Sequence, residues 1–184
     1  SDSQSDIDLT NINSGEGTSI QGETPDDLMG YSVAGLGDIN GDGIDDFIIG
    51  APLDSTINSK AGSAYVIFGN ESFHSQSTLN VSEITNGFVI RGSQTNGYLG
   101  IVSAAGDING DGFNDILLAE RGHDNNGNED AGIAHVIFGQ ETITSSSTFD
   151  LNSLNGNNGF SIYGTQSYDK LGAGLSGAGD VNGD

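Results

Sequence analysis

Two segments of the sequence carry oxygen-bearing side chains at alternate positions around a central glycine. Both follow the pattern D-x-N-x-D-G-x-x-D, in which positions 1, 3, 5 and 9 supply carboxylate or amide oxygens and neither His, Cys nor Met occurs. Such donors select a hard cation, and a flexible shell of many ligands suits Ca²⁺ better than Mg²⁺. With the main-chain carbonyl at position 7, the predicted ligands are Asp38, Asn40, Asp42, Ile44 and Asp46 in the first loop and Asp107, Asn109, Asp111, Phe113 and Asp115 in the second.

The start of each loop also fits an EF-hand, which requires a bidentate Glu at position 12 and helices on both sides. Position 12 is Ile49 in the first loop and Leu118 in the second, and the flanking residues are strand-like, so the EF-hand interpretation fails. Asp at position 9 is predicted to close the shell instead. The competing interpretation is a solvated Asp/Asn/Gly turn that binds no ion.

A third copy of the loop begins near the end of the sequence. It supplies only the first three predicted ligands, Asp180, Asn182 and Asp184. A cation site there depends on residues beyond Asp184, and the solvated-turn interpretation fits this copy better than the two complete ones.

The loops belong to an internal repeat, with 69 residues from Asp38 to Asp107 and 73 from Asp107 to Asp180. Each period contains four short strand candidates and no amphipathic helix. The first candidate strand is rich in Gly, Ala and Ser, which suits a crowded position near an axis, and the polar segments between strands are predicted loops. Four antiparallel strands per unit predict all-β propeller blades, which bury their faces only against neighbouring units. The predicted strands are residues 30–36, 47–50, 61–68 and 88–92 in the first full repeat and 100–105, 116–119, 133–138 and 160–164 in the second.

Composition excludes several functional classes. Four Lys and Arg against 26 Asp and Glu give a net charge of -22, which argues against nucleic acid and anionic membranes as partners. No apolar run approaches the roughly 18 residues of a membrane-spanning helix, and the absence of Cys removes disulfides and cysteine nucleophiles. No catalytic signature is present, so the chain is not predicted to be an enzyme. Residues 172–177 fit G-x-G-x-x-G, but they fall on a predicted innermost strand rather than in a nucleotide-binding turn.

These motifs together resemble FG-GAP repeats, the units of the integrin α-subunit head propeller and of many bacterial surface proteins. Phe68-Gly69 and Phe138-Gly139 match the FG element, and Gly50-Ala51-Pro52 matches GAP. The second repeat departs from the pattern, with Ala119-Glu120-Arg121 in place of Gly-Ala-Pro. The resemblance implies a calcium-binding propeller, usually seven-bladed, with each ion in the hairpin between the first two strands of a blade.

The sequence therefore predicts an incomplete arc of a propeller. Residues 1–23 end one blade, 24–92 and 93–164 are full repeats, and 165–184 begin another. The remaining blades come from a longer parent chain or from self-association.

The predicted function is that of an extracellular or cell-surface protein, secreted and bacterial in type, in which Ca²⁺ rigidifies the blade hairpins. The rigid blades then present an adhesion or ligand-binding surface to a protein or glycan at the rim. The alternative is a non-catalytic accessory propeller of a secreted hydrolase.

Overall fold

The computed structural model of the chain describes residues 12, 15, 17–75, 77–145 and 148–179. Within these residues the structure is all-β, with strands joined by turns and by three short 3₁₀ helices at Glu71–Ser75, Val81–Glu83 and Leu151–Ser153. In chain order the strands are β1 (Ser19–Gln21), β2 (Ser32–Gly37), β3 (Asp46–Ala51), β4 (Ser63–Ile67), β5 (Thr78–Asn80), β6 (Gly87–Arg91), β7 (Leu99–Gly106), β8 (Asp115–Glu120), β9 (Ile133–Ile137), β10 (Thr148–Phe149) and β11 (Gly159–Tyr163).

Two four-stranded antiparallel sheets form the body of the structure. The first, blade 1, has the order β2-β3-β4-β6, and the second, blade 2, has the order β7-β8-β9-β11. This confirms the predicted all-β fold with propeller-type blades, and the predicted bounds of all eight strands lie within two residues of the observed ones. The central strands β4 and β9 are buried along their whole length, which explains why they are continuous apolar runs rather than alternating ones.

The main hydrophobic core lies between the two blades. Ile48, Val66 and Ile90 of blade 1 pack in one buried cluster with Leu99 and Leu118 of blade 2. At its edge the two backbones meet directly, because a Cβ atom placed on Gly50 would lie 1.9 Å from the carbonyl oxygen of Gly100. Each blade thus depends on its neighbour to cover a face, as expected for stacked repeats.

Two further short strands connect the repeats, and the sequence did not predict them. β5 leaves blade 1 and pairs in parallel with β1, and β10 leaves blade 2 and pairs in parallel with β6. Each is followed by a 3₁₀ turn. We call residues 78–84 and 148–154 the straps, because each crosses from its own blade to the outer strand of the preceding one.

One strand that the sequence predicted within the described residues does not form. No strand forms at residues 172–179, where the sequence predicted an innermost strand. The equivalent strands β2 and β7 each pair with the strand that follows their loop, and the described residues end before such a partner.

The altered motif at 119–121 leaves its turn unchanged, since His123 N–H donates to the carbonyl of Glu120 at 3.2 Å just as Asp54 N–H donates to that of Ala51 at 3.2 Å. The third loop lies outside the described residues.

A partly buried ionic network ties blade 1 to the residues that precede it. Arg91 Nη1 lies 2.9 Å from Asp54 Oδ2, and Arg91 Nη2 lies 2.9 Å from Glu23 Oε2. The hydroxyl of Tyr65 lies within hydrogen-bond distance of the same two carboxylates, at 3.1 and 3.0 Å. Burial would raise the pKa of Asp54, but hydrogen bonds from Thr56 and Ser63 and the charge of Arg91 outweigh it and hold this pKa below its ordinary value.

The Asp54→Ala variant is expected to lower the free energy of unfolding by about 3 kcal/mol, because it removes a buried carboxylate and leaves the half-buried Arg91 with one partner fewer. Urea unfolding at pH 7 measures the change. Glu141→Ala, which removes an exposed carboxylate, should stay within about 0.5 kcal/mol of the parent chain.

Because the folded pKa of Asp54 is depressed, its contribution to the free energy of unfolding is present above about pH 4 and is lost as the pH falls through the folded value. A difference between parent and variant that stays constant down to pH 2 would contradict this account.

Candidate functional site

The two acidic loops occupy the turns of equivalent hairpins. The first joins β2 to β3 and the second joins β7 to β8, and their last predicted ligands, Asp46 and Asp115, are the first residues of β3 and β8. The glycines at position 6, Gly43 and Gly112, have φ angles of 86° and 95°, and a Cβ atom on either would meet no atom within 4 Å. The positive φ angle, and not a lack of space, is therefore the reason for glycine at position 6, as the sequence predicted.

In the first loop, the side chains at positions 1, 3 and 5 fold inward onto the backbone. Asp38 Oδ1 accepts from Gly41 N–H at 2.6 Å, and Asp38 Oδ2 accepts from Gly43 N–H at 2.9 Å. Asn40 Oδ1 accepts from Asp42 N–H at 2.9 Å, and Asp42 Oδ1 accepts from Ile44 N–H at 2.9 Å. The Asn40 amide also donates to Asp42 Oδ2 at 3.1 Å. These short-range contacts wind the backbone around the acidic side chains.

The second loop repeats this geometry. Asp107 accepts from Gly110 and Gly112 N–H, each at 2.8 Å, and Asp111 Oδ1 accepts from Phe113 N–H at 2.9 Å. The Asn109 amide donates to Asp111 Oδ2 at 2.8 Å. Two segments 69 residues apart thus adopt one conformation, which indicates that the D-x-N-x-D-G pattern determines it.

The carboxylate at position 9 differs from the others because it is buried. Asp46 is 2% exposed and Asp115 is 0% exposed. Asp46 Oδ2 accepts from Ile39 N–H in its own loop at 3.0 Å, and Asp115 Oδ2 accepts from Ile108 N–H at 2.8 Å. Burial raises the pKa of both carboxyls, the backbone donors oppose the rise, and the negative charges at positions 5 and 1 of the same loop add to it.

The second oxygen of each buried carboxylate reaches the FG element, a contact that the sequence did not predict. Gly69 N–H donates to Asp46 Oδ1, and Gly139 N–H donates to Asp115 Oδ1, both at 2.9 Å. A Cβ atom on Gly69 would lie 2.3 Å from the carbonyl oxygen of Asp45, so a side chain would push this backbone away from the loop. The recurrence of Phe-Gly in both repeats was the sequence signal for this contact. It did not identify the partner, because Asp46 lies 23 residues before Gly69 in the chain.

The two loops lie side by side on one rim of the structure. Asn114 N–H donates to the carbonyl oxygen of Asp38 at 3.3 Å, and Gln140 N–H donates to that of Ile39 at 3.0 Å. Ile39 is therefore enclosed between the blades, whereas the equivalent Ile108 is half-exposed. Blade 2 thus supports the first loop, and no described segment supports the second in the same way.

Hydrogen bonds hold the predicted ligand side chains of each complete loop close to one another, but these side chains do not form a metal-binding cluster. Within the ranges described, no group of three or more acidic, His or Cys side chains is arranged to hold a metal ion. The donor set nevertheless fits a hard cation, because each loop offers three carboxylates and an amide oxygen, with no nitrogen or sulfur ligand. The carboxylates at position 9, Asp46 and Asp115, each accept one N–H bond per oxygen and so keep further lone pairs for a cation.

The comparisons with known proteins agree with the repeat. A family model described as FG-GAP repeat matches residues 29–67 and 99–137. The chain is 34% identical to integrin alpha-5 of Xenopus laevis over 105 residues, which is 54% of this chain and 9% of that protein. It is 33% identical to integrin alpha-8 of Gallus gallus over 116 residues, 58% of this chain and 10% of that protein. Integrin alpha-IIb of Mus musculus is 34% identical over 101 residues, 54% of this chain and 10% of that protein. The chain thus covers about a tenth of the length of these relatives.

The Gly69→Ala variant is expected to lower the free energy of unfolding by about 1–3 kcal/mol, since its methyl group overlaps the backbone of the first loop. Gly35→Ala is the matched control, because a Cβ on Gly35 meets no atom within 4 Å, and this change should be neutral or slightly stabilising. Chemical denaturation of both variants measures the difference. Equal stabilities would contradict the close approach of the FG element to the loop.

Proposed function

We propose that the chain, an FG-GAP repeat protein similar to integrin alpha chains, is a calcium-binding β-propeller segment of an extracellular or cell-surface protein. In this proposal Ca²⁺ rigidifies the blade hairpins, and the blades present a surface that binds a protein or glycan ligand in adhesion. Residues 24–92 and 93–164 are its two full repeats. The observation that carries the proposal is the shared conformation of the two loops, each with an all-oxygen donor set.

The loop residues have distinct parts in holding the ion. Asp38 and Asp107 open the loops, and their bonds to the position-6 glycines keep the turn closed. The buried Asp46 and Asp115 link the loops to the FG glycines. The negative charges at positions 5 and 1 add to the raised pKa of the buried carboxyl at position 9, and a bound Ca²⁺ would supply positive charge that offsets this repulsion. The proposed ligands are those predicted from the sequence, including the carbonyls at position 7 of each loop.

Calcium suits the exterior of a cell as a structural ion. Extracellular calcium modules bind with Kd of about 10⁻⁴–10⁻³ M, so such sites fill outside the cell and stay empty in the cytosol. Free calcium at about 100 times Kd stabilises a folded protein by about 2.7 kcal/mol per site. The described residues contain no helix long and apolar enough to span a membrane.

The ligand-binding surface is proposed at the rim opposite the calcium loops, where β3 ends and β4 begins. All four basic residues of the chain lie in or beside the turns of this rim: Lys60, Arg91, Arg121 and Lys170. A polar cavity of about 320 Å³ opens there between neighbouring repeats, lined in part by Tyr98, Glu129 and Asp130. The guanidinium of Arg121 lies 4.8 Å from the centre of the Tyr98 ring. An aromatic face beside charged donors and acceptors offers the mixed chemistry that polar ligands require.

Thermal unfolding with calcium and with a chelator tests the proposal. Saturating calcium is expected to raise Tm by about 5–10 °C per occupied site, and calorimetry is expected to find one ion for each of the two complete loops. Asp42→Asn combined with Asp111→Asn removes one charge from each loop and should abolish most of the calcium-dependent rise, while Tm in chelator stays the same or increases as repulsion is relieved.

The matched control is Asp45→Asn. Asp45 is an exposed carboxylate next to Asp46 at position 8 of the loop, which is not a predicted ligand. This variant should keep the calcium response of the parent chain. An unchanged Tm on adding calcium, with no ion bound by calorimetry, would rule out the calcium mechanism. Equal losses in Asp45→Asn and the double variant would show a non-specific charge effect.

A further inference from the structure

The chain is rich in Asn-Gly pairs, the dipeptide in which asparagine most readily loses its side-chain nitrogen as ammonia. The backbone nitrogen of the following residue attacks the side-chain carbonyl carbon and closes a five-membered ring, and glycine has no Cβ to hinder this approach. The structure describes all but the last of the eight pairs, so their hydrogen bonds show where both reacting groups are free. The pairs begin at Asn40, Asn86, Asn96, Asn109, Asn126, Asn155, Asn158 and Asn182.

Six of the seven described pairs are held in place by hydrogen bonds. In the sixth of these the amide of Asn158 is fixed, since its Nδ2 donates to the carbonyl of Ser153 at 3.1 Å and its Oδ1 accepts from Asn155 N–H at 3.0 Å. A bonded group must break its bond before the ring can close, so the fold slows the reaction at these positions. In the other five pairs the N–H of the glycine donates to an oxygen of a nearby residue: Gly41, Gly87, Gly97, Gly110 and Gly156.

The remaining described pair, Asn126-Gly127, forms the tip of a tight turn between β8 and β9. Asn125 and Asn128 exchange both backbone hydrogen bonds, at 3.1 and 2.9 Å, and φ is 50° at Asn126 and 86° at Gly127. Two central residues with positive φ are typical of the type I′ turn that favours Asn-Gly. Both residues are exposed, and among the described residues neither the Asn126 side chain nor the Gly127 N–H has a hydrogen-bond partner. Both reacting groups are therefore free at this pair.

The exposure of this tip does not depend on which repeat follows blade 2. The equivalent turn of blade 1 joins β3 to β4, and its tip residue Ile57 is 61% exposed although blade 2 packs against blade 1. The β8–β9 turn is anchored below its tip. Asn125 Nδ2 donates to the carbonyl of Gly164 at 2.9 Å, and Asp130 N–H donates to Asp124 Oδ1 at 2.8 Å. The reactive pair thus projects into solvent from a fixed base.

We propose that Asn126 is a site of spontaneous deamidation, to which the fold confines the reaction among the described Asn-Gly pairs. The backbone nitrogen of Gly127 forms a bond to Cγ of Asn126, the bond between Cγ and Nδ2 breaks, and Nδ2 leaves as ammonia with the proton from the Gly127 nitrogen. Water then opens the succinimide ring at one of its two carbonyls. One opening gives aspartate, and the other gives isoaspartate, whose main chain runs through the former side chain and is one methylene longer.

Isoaspartate at this tip loosens a contact with the start of the next repeat. The turn holds that segment by its backbone, since Tyr168 N–H donates to the carbonyl of Glu129 at 2.8 Å and Lys170 N–H donates to that of Asp130 at 3.1 Å. An extra methylene at the tip changes the spacing of the two residues whose reciprocal bonds close the turn. The new carboxylate also adds negative charge to a turn that is already acidic. The modification therefore weakens the attachment of residues 165–171 to blade 2.

Peptide mapping by mass spectrometry, during incubation of the 184-residue chain at mildly alkaline pH, tests the site. Asn126 is expected to convert at least about tenfold faster than Asn96. Asn96 is the matched internal control, because it is also exposed, has φ of 60° and has no side-chain partner among the described residues. It differs in that Gly97 N–H donates to the carbonyl of Gln94 at 3.0 Å.

The same incubation in urea separates the effect of the fold from that of the local sequence. Unfolding removes the protection, so Asn126 and Asn96 should then convert at similar rates. Equal rates in the folded chain, or a difference that persists in urea, would overturn the proposal. Asn126→Gln should abolish conversion at this position, because the longer side chain would have to close a six-membered ring, and should leave conversion at Asn96 unchanged.

Hydrogen exchange tests the consequence for the next repeat. Residues 165–171 should exchange at least about fivefold faster in the isoaspartate-containing fraction of the aged chain than in the fresh chain. Asn126→Asp is the control for charge, since it adds the carboxylate without the extra methylene, and its exchange should stay close to that of the fresh chain. Unchanged exchange in the isoaspartate fraction, or an equal increase in Asn126→Asp, would overturn the role of the longer main chain.

Discussion

A single buried carboxylate at the start of the second strand organises each blade. Asp46 uses one oxygen to bind the N–H of Ile39 in its own loop and the other to bind the N–H of Gly69, which follows the third strand. Asp115 makes the same pair of bonds in blade 2. One side chain thus joins the loop, the inner hairpin and the end of the third strand, and the outer strand pairs with the third. Burial raises the pKa of this carboxyl, and the negative charges of two other acidic residues in the same loop raise it further.

Both repeats have this buried carboxylate with its two N–H donors, but their other buried polar groups differ. Where blade 1 has Tyr65 on its third strand, blade 2 has His135, whose Nδ1 lies 2.8 Å from Ser161 Oγ. His135 Nε2 lies 3.4 Å from Glu120 Oε1, and Glu120 is itself buried. Burial would raise the pKa of Glu120, but the two imidazoles that face it, His123 and His135, hold this pKa below its ordinary value. The presence of Glu120 where the GAP element has Ala is therefore matched by different residues on the neighbouring strands.

The arrangement of the blades separates two kinds of surface. The acidic loops lie on the rim formed by the β2–β3 and β7–β8 turns, and the basic residues lie on the opposite rim. This division is imposed by the up-and-down order of strands, which sends alternate turns to alternate rims. A net charge of -22 repels anionic surfaces in general, and on the opposite rim Lys170 Nζ lies 3.7 Å from the carboxylate of Asp130.

By itself the sequence determined the eight strands of the two blades, the hairpin loops and the positions of the oxygen-bearing side chains. These features are local: alternation or continuity of apolar residues specifies a strand, and the D-x-N-x-D-G pattern specifies its own hydrogen bonds over a few residues. Calcium binding at those side chains remains a prediction, as do the repeat boundaries. Only the tertiary structure decided that Gly69 N–H meets Asp46 and that β5 and β10 cross to the preceding blade. Each of these depends on residues far apart in the chain, where neither spacing nor composition indicates which partner will be adjacent.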